Sequence, residues 1–373
     1  MTSVMTETAL DDLADAIATG ATVAGLGEST RFAHETSEVR DQLFRRLVRR
    51  HGFRALAVQD DASVGAALDA YVTGGAGTAS SALAGAWRPW RTAETAAALE
   101  WIRAFNEDHP DDQVRIFGVK PAQARPADYD AVMEHVRRAA PHRLAELAAH
   151  LEPIRTAHEI DEHVQRARGL HPGRPFAEHA RDALAIVEQL PGDPALERMR
   201  LIADFHRRSV AGRDDYAGDA RTWAGTIVGH QQRTGHRVVY WDGIAHTVAA
   251  PATLGLAHRR GPQPTVGSVL RDHYGTGYVS AAIGFHHGDL GAVTVPEPPS
   301  DWLDARLGAT GRAAHWLDLR DGGMDGPMKV RVISGVYDPS RDAAEHLAVT
   351  SLPDAFDVLV HLRQVSPVRW LTT

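Results

Sequence analysis

The sequence predicts an α/β fold: a mostly parallel central sheet flanked by helices, with a helical insertion. Three observations predict it. Short apolar runs alternate with helix-period segments near both ends of the chain, a long middle stretch carries no convincing strand, and Pro and Gly punctuate the helices of that stretch. The expected division is 1–126 as the N-terminal part of the α/β core, 127–235 as a helical insertion or cap, and 236–373 as the C-terminal part of the core.

The elements follow in order. Leu10, Leu13, Ala14 and Ile17 recur at spacings of three and four before Gly20, the pattern of an amphipathic helix with a glycine stop. A strand over Thr22–Leu26 comes next. Over 36–51 a second helix puts Leu43, Phe44 and Leu47 on one stripe, and Arg40 shares that stripe, so a guanidinium points inward. Compact apolar runs at Phe53–Gln59 and Val114–Val119 read as buried strands. Helical stretches at 128–150, 153–168, 176–190 and 195–211 fill the middle. Strands resume at Arg237–Trp241, Tyr278–Phe285, Val330–Val336 and Phe356–Leu362.

Composition narrows the function classes. The chain has 373 residues, 43% hydrophobic and 24% charged, with a formal net charge of −8 and no cysteine. That length can bury a sizeable core, and the absence of cysteine removes disulfides, thiolate metal sites and a cysteine nucleophile. The charge balance suggests neither nucleic acid nor membrane as a partner. The apolar-rich run from Ala62 to Trp87 is broken by glycines, serines and Asp69, which argues against a spanning helix. With no basic, apolar leader pattern at the N-terminus, the expectation is a cytoplasmic protein acting on a small molecule. Oligomeric state is not legible.

The densest chemistry lies in Thr22-Val-Ala-Gly-Leu-Gly-Glu28-Ser-Thr-Arg31-Phe-Ala-His-Glu35, where an apolar run meets two glycines and then a cluster of ionisable groups. Glu28 is at the carboxyl end of the expected strand, where ligands bind in open α/β sheets. Arg31 offers a planar fork of donors suited to a carboxylate, phosphate or developing oxyanion, and it cannot act as a base. An inward Arg40 needs a partner, and a Glu28–Arg40 ion pair would explain both positions. His34 and Glu35 open the next helix, where Glu35 also complements the helix dipole. Other chemistries lack their signatures: Gly25 and Gly27 have Thr30 where a dinucleotide fingerprint needs a third glycine, and neither a Walker loop nor a Gly-x-Ser-x-Gly elbow occurs. Imidazoles and a carboxylate at His246, His286, His287 and Asp289 would suit a divalent ion, but no tight ligand spacing is present. The expectation is no metal and no cofactor.

The same stretch resembles the signature of the erythromycin-esterase-like family, in which a strand runs into Gly-Glu-x-(Thr or Ser)-His-Gly-x-x-Glu. The resemblance extends through Arg40, Trp90-Arg-Thr-Ala-Glu94, Trp101-Ile-Arg103-Ala-Phe-Asn106, Val239-Tyr-Trp241-Asp-Gly-Ile-Ala-His246, Gly267-Ser-Val-Leu-Arg271, Tyr278–Phe285, Arg331–Asp338 and Phe356-Asp-Val-Leu-Val, in the family's order. It implies an α/β enzyme that opens an ester or lactone with activated water, Glu and His handling the protons. By the resemblance, Glu28, Glu35, Arg40 and His246 match, while Arg31 replaces the family His, Gln59 replaces a carboxylate, and Gly243-Ile244 replaces His-Asn.

The candidate catalytic residues are therefore Glu28, His246 and His34, and the candidate substrate-binding residues are Arg31, Arg40, Glu35, Gln59, His286 and His287. Either His246 or Glu28 serves as base, with His34 the nearest substitute for the lost imidazole. Three activities fit: a rewired hydrolase acting on an ester or lactone of a small, anionic or neutral natural product; a non-hydrolytic tailoring enzyme such as a cyclase, eliminase or isomerase; or a small-molecule binding protein of the self-resistance kind.

Overall fold

The computed structural model describes residues 4–158, 162–167, 169–171, 173–190, 193–211, 216–255, 261–322, 324–333, 335 and 337–372. The chain forms two compact units, one from 1–120 with 217–373 and the other from 121–216.

In the first unit, helix α1 (Glu7–Ala18) starts at Thr6, whose hydroxyl accepts from the Ala9 N–H, and buries Leu10, Leu13, Ala14 and Ile17. Strand β1 (Val23–Glu28) is buried throughout. Helix α2 (His34–His51) ends at Gly52 in the left-handed region, φ +67°. Strand β2 (Phe53–Asp61) passes directly into α3 (Ala62–Val72), because the Asp61 carboxylate accepts from the Ser63 and Val64 N–H groups and caps the helix. The remaining strands are β3 (Arg115–Lys120), β4 (Arg237–Gly243), β5 (Thr253–Leu254), β6 (Tyr278–Asp289), β7 (Thr294–Val295), β8 (Ala314–Asp318), β9 (Met328–Arg331), β10 (His346–Val349) and β11 (Val358–Val365).

The main sheet has the order β3-β2-β4-β1-β6-β11-β8, with β7 paired to β6. The six strands from β3 to β11 in that order run parallel, while β8 and β7 are antiparallel additions. The α/β class with a mostly parallel sheet flanked by helices is thus present. One expected strand lies elsewhere: β9 pairs with β10 in a separate antiparallel sheet of order β5-β10-β9. In it Met328, Val330 and Arg331 are buried and Lys329 is partly exposed.

β1 and β4 are neighbours, yet the helices that follow them leave on opposite faces. Ala24, Leu26, Val239 and Trp241 face the core that includes α2, whereas Val23, Val238 and Tyr240 face the core that includes the helix Val266–Tyr274. The carboxyl ends of the two strands are thus a topological switch point, the crevice position at which open α/β sheets bind ligands. Gly27 permits the packing on one side, since a Cβ there would stand 2.0 Å from Thr247 Oγ1 of the short helix Ile244–Thr247.

The second unit contains helices Pro126–Ala139, Leu144–Leu151, Glu162–Ala167, Phe176–Val187 and Asp193–Ala211. Its own core gathers Tyr129, Val132, Leu147, Phe176, Met199 and Ile202, with Tyr129 Oη and His206 Nε2 2.6 Å apart inside it.

Candidate active site

Glu28 is the last residue of β1 and is almost fully buried. Arg40, two turns into α2, donates from Nη1 to Glu28 Oε2 at 2.6 Å, so the inward guanidinium has the carboxylate its burial demands. Arg31 reaches back from the loop, with Nε 3.1 Å from Glu28 Oε1 in an ion-pair contact whose N–H is not aligned on the oxygen. Its Nη2 donates to Asp242 Oδ1 at 2.5 Å. Asp242, near the end of β4, also accepts from the Gly243 N–H at 2.7 Å and from the Tyr240 hydroxyl. By strand alternation Glu28 belongs to one face of the sheet and Asp242 to the other. Arg31 therefore bridges the two faces across the crevice. Two carboxylates and two guanidiniums balance, so the network carries no formal net charge. Burial pushes the Glu28 carboxyl up, and the guanidiniums of Arg40 and Arg31 pull it back.

Aromatic rings and cations then alternate along one wall. The Arg40 guanidinium lies 4.4 Å from the Trp241 ring and 5.1 Å from Trp90, and that of Arg31 lies 5.5 Å from Trp90 and 4.7 Å from Trp87. Lys120, at the end of β3, places Nζ 5.1 Å from Trp87 and 5.2 Å from Trp223. The Trp223 ring is 5.1 Å from that of His246. Each such cation–ring contact contributes on the order of 0.5–2 kcal/mol. The Trp90 indole is itself anchored, its Nε1 donating to the Gln59 carbonyl at 3.2 Å, and the Trp87 backbone N–H donates to Asp60 Oδ2 at 2.8 Å.

Among the expected residues, Glu28, Arg31 and Arg40 are brought together directly, and His246 joins them through the wall of rings. Burial pushes the His246 imidazole below its ordinary value; Asp242 opposes this, and Arg31 and Lys120 add to it. A depressed value keeps the ring neutral near pH 7. Gln59 contributes its backbone carbonyl, and its side-chain Oε1 is buried without a hydrogen-bond partner.

His34, Glu35, His286 and His287 turn elsewhere. His34 Nδ1 lies 2.8 Å from Glu94 Oε1, and Glu35 accepts from the Ser366 N–H at 2.7 Å and the Ser366 hydroxyl at 2.6 Å. Both therefore engage the helix Ala93–Asp108 or the C-terminal segment. His286 and His287 contact each other, and among the described residues no hydrogen bond, ion pair or ring contact links them to Glu28, Arg31 or Arg40.

Sequence reasoning passed over Asp242, Lys120, Asp60 and Trp223. Asp242 had a usable signal, a carboxylate ending a strand as Glu28 does. So did Lys120: of the 40 Lys and Arg residues only Lys120 and Lys329 are lysine, and Lys120 ends a strand. Gly243 gains meaning from the geometry, because a Cβ there would stand 3.6 Å from Arg31 Nη2. That is ordinary contact, so residue 243 borders the Arg31 guanidinium.

A search of curated proteins finds no match. Three solved structures resemble the fold. A Bacillus cereus protein is 18% identical with a TM-score of 0.65, covering 100% of this chain and 96% of its own. A succinoglycan biosynthesis protein is 19% identical with a TM-score of 0.64, covering 96% and 92%. A mutant of the erythromycin esterase EreC in its open conformation is 16% identical with a TM-score of 0.58, covering 95% and 94%. The erythromycin esterase family profile matches residues 48–365, beginning after the Glu28 loop and covering most of the chain. The chain belongs to the erythromycin esterase family.

Proposed function

We propose that the protein hydrolyses an ester or lactone of a small natural product, with His246 as the base that activates water. The observation that carries this reading is the fixed position of Arg31 between Glu28 and Asp242, which leaves a neutral imidazole at His246 as the proton acceptor beside the network. Neutral His246 takes a proton from water as the oxygen attacks the carbonyl, and returns it to the leaving oxygen as the tetrahedral intermediate collapses. Arg31 Nη1, which makes no hydrogen bond among the described residues, supplies donors for the developing oxyanion. Glu28 holds Arg31 and Arg40 in place, and its unaligned Oε1 can accept a hydrogen bond from the water.

Because the four-membered network is neutral and Arg31 Nη1 is assigned to the oxyanion, a separate anionic group on the substrate would call for a further cation. Lys120 makes no ion pair within 4 Å among the described residues, although its charge also acts on buried Asp60, and it is the cation we assign to such a group. The test is mass spectrometry of products from a panel of macrolides, simple esters and carboxylate-bearing lactones, with His246→Ala alongside. A product heavier by one water, lost in the variant, supports the reading. An isomeric or dehydrated product would replace hydrolysis with a cyclase, eliminase or isomerase, and a ligand bound tightly but recovered unchanged would make the protein a binder.

A further inference from the structure

Beyond this crevice, β6 continues past Ile283, the residue paired with Glu28, and ends in His286-His287-Gly288-Asp289. A tight turn follows, with Leu290 N–H donating to the Val293 carbonyl at 2.9 Å, Gly291 at φ +86°, and the Gly291 N–H donating to Asp289 Oδ1 at 2.8 Å. The chain returns antiparallel as β7, with Gly288 opposite Val295 and Asp289 opposite Thr294. Two residues beyond Val295, past Pro296, the chain reaches Glu297 close to the two imidazoles.

Successive side chains on a strand ordinarily point to opposite faces. Here His286 and His287 instead turn the same nitrogen toward each other, Nδ1 to Nδ1 at 2.9 Å, with the rings at 82°. One Nδ1 must carry a proton and the other a lone pair. One nitrogen of each imidazole and a Glu297 carboxylate oxygen all lie within 4.8 Å of one another. His286 is fixed from behind, since a Cβ at Gly308 would stand 2.1 Å from its Cδ2, so only glycine leaves room for the ring. The exposed Glu297 is free to swing inward. Two guanidiniums lie nearby, but Arg331 is paired with Asp342 and Arg363 donates to the Gly308 carbonyl.

We propose that His286, His287 and Glu297 bind a divalent transition-metal ion such as zinc. Bonds of about 2.0–2.1 Å in a tetrahedral site put ligand atoms roughly 3.3 Å apart. The nitrogens need only part slightly as the shared proton leaves, and the carboxylate closes by rotamer change. Two imidazoles favour zinc and its neighbours over magnesium or calcium. Three protein ligands leave a coordination position for water or a ligand group.

The experiment uses full-length protein treated with chelator, dialysed against Zn(II) and analysed for metal, with Co(II) absorption and thermal melting as parallel readouts. Wild type should hold one more equivalent than His287→Ala/Glu297→Gln, show the visible bands of low-symmetry Co(II), and melt higher with metal. Glu297→Gln alone, at an exposed position, should weaken binding by more than about tenfold, the scale of an outer-shell loss. It decides the matter if the double variant melts lower without metal. Equal uptake by wild type and Glu297→Gln would assign the ion to other histidines and overturn the proposal, as would no uptake. None of these readouts depends on turnover, so failure here leaves the hydrolase reading standing, and the reverse holds.

Discussion

The loop and helix start from Glu28 to Glu35 split into two regions with different partners. Glu28 and Arg31 turn to the crevice, where they meet Arg40 and Asp242. Phe32, His34 and Glu35 turn to the C-terminal segment: the Val368 N–H donates to the Phe32 carbonyl, the His34 N–H to the Ser366 carbonyl, and Ser366 donates twice to Glu35. Glu94 completes that clasp by accepting from the Arg369 N–H. The crevice gathers buried charges with unspent valence, whereas the clasp satisfies its groups against backbone. Nearness in sequence to a site is therefore a poor guide to membership, because a helix start presents successive side chains in different directions.

Four variants and a pH profile can break or sharpen this contrast. Arg40→Ala should have the largest effect, since it strips Glu28 of its best-aligned partner: about 3–5 kcal/mol of stability by urea unfolding, with activity lost as well. His246→Ala should lower kcat by roughly 10²–10⁴ while moving stability little. Glu35→Ala should do the opposite, costing about 1–3 kcal/mol through the orphaned Ser366 donors and leaving the rate per folded molecule near wild type. Lys120→Gln should raise KM about tenfold for an anionic substrate and leave a neutral one unaffected, the worth of one partly exposed charge-assisted hydrogen bond. A KM that rises equally for both would remove Lys120 from substrate contact.

The pH effect is the smallest and has a definite sign. The folded His246 value lies below the unfolded one, so its contribution to stability is present above the ordinary histidine value of about 6.5 and is lost as pH falls toward the lowered folded value. The acid limb of kcat/KM should accordingly fall below pH ~6.5. An acid limb above that value would point to a different base.

Much of the scaffold was legible because the buried strands and the apolar stripe of α2 carry strong patterns, and the inward Arg40 announced its carboxylate. The antiparallel pieces β5, β7, β8 and β10 were not, since two to five residues hold too little periodicity to read. Within the site, Glu28, Arg31 and Arg40 could be grouped from spacing along one loop and helix. Asp242, Lys120 and Trp223 could not, because the pairings of β1 with β4, β4 with β2 and β2 with β3 carry the first two to the same rim, and Trp223 arrives on the helix Tyr216–Thr234. Arg31 also reads differently in three dimensions. It looked like a free anion clamp in sequence, and it is a bridge already engaged by two carboxylates.

The most direct test of the division between crevice and clasp compares the two imidazoles. Hydrolysis of a turned-over ester or lactone in ¹⁸O-labelled water should place one label in the product of wild type and of His34→Ala at similar rates, and almost none with His246→Ala. Label incorporation lost in His34→Ala and retained in His246→Ala would contradict the account and move the chemistry to the clasp.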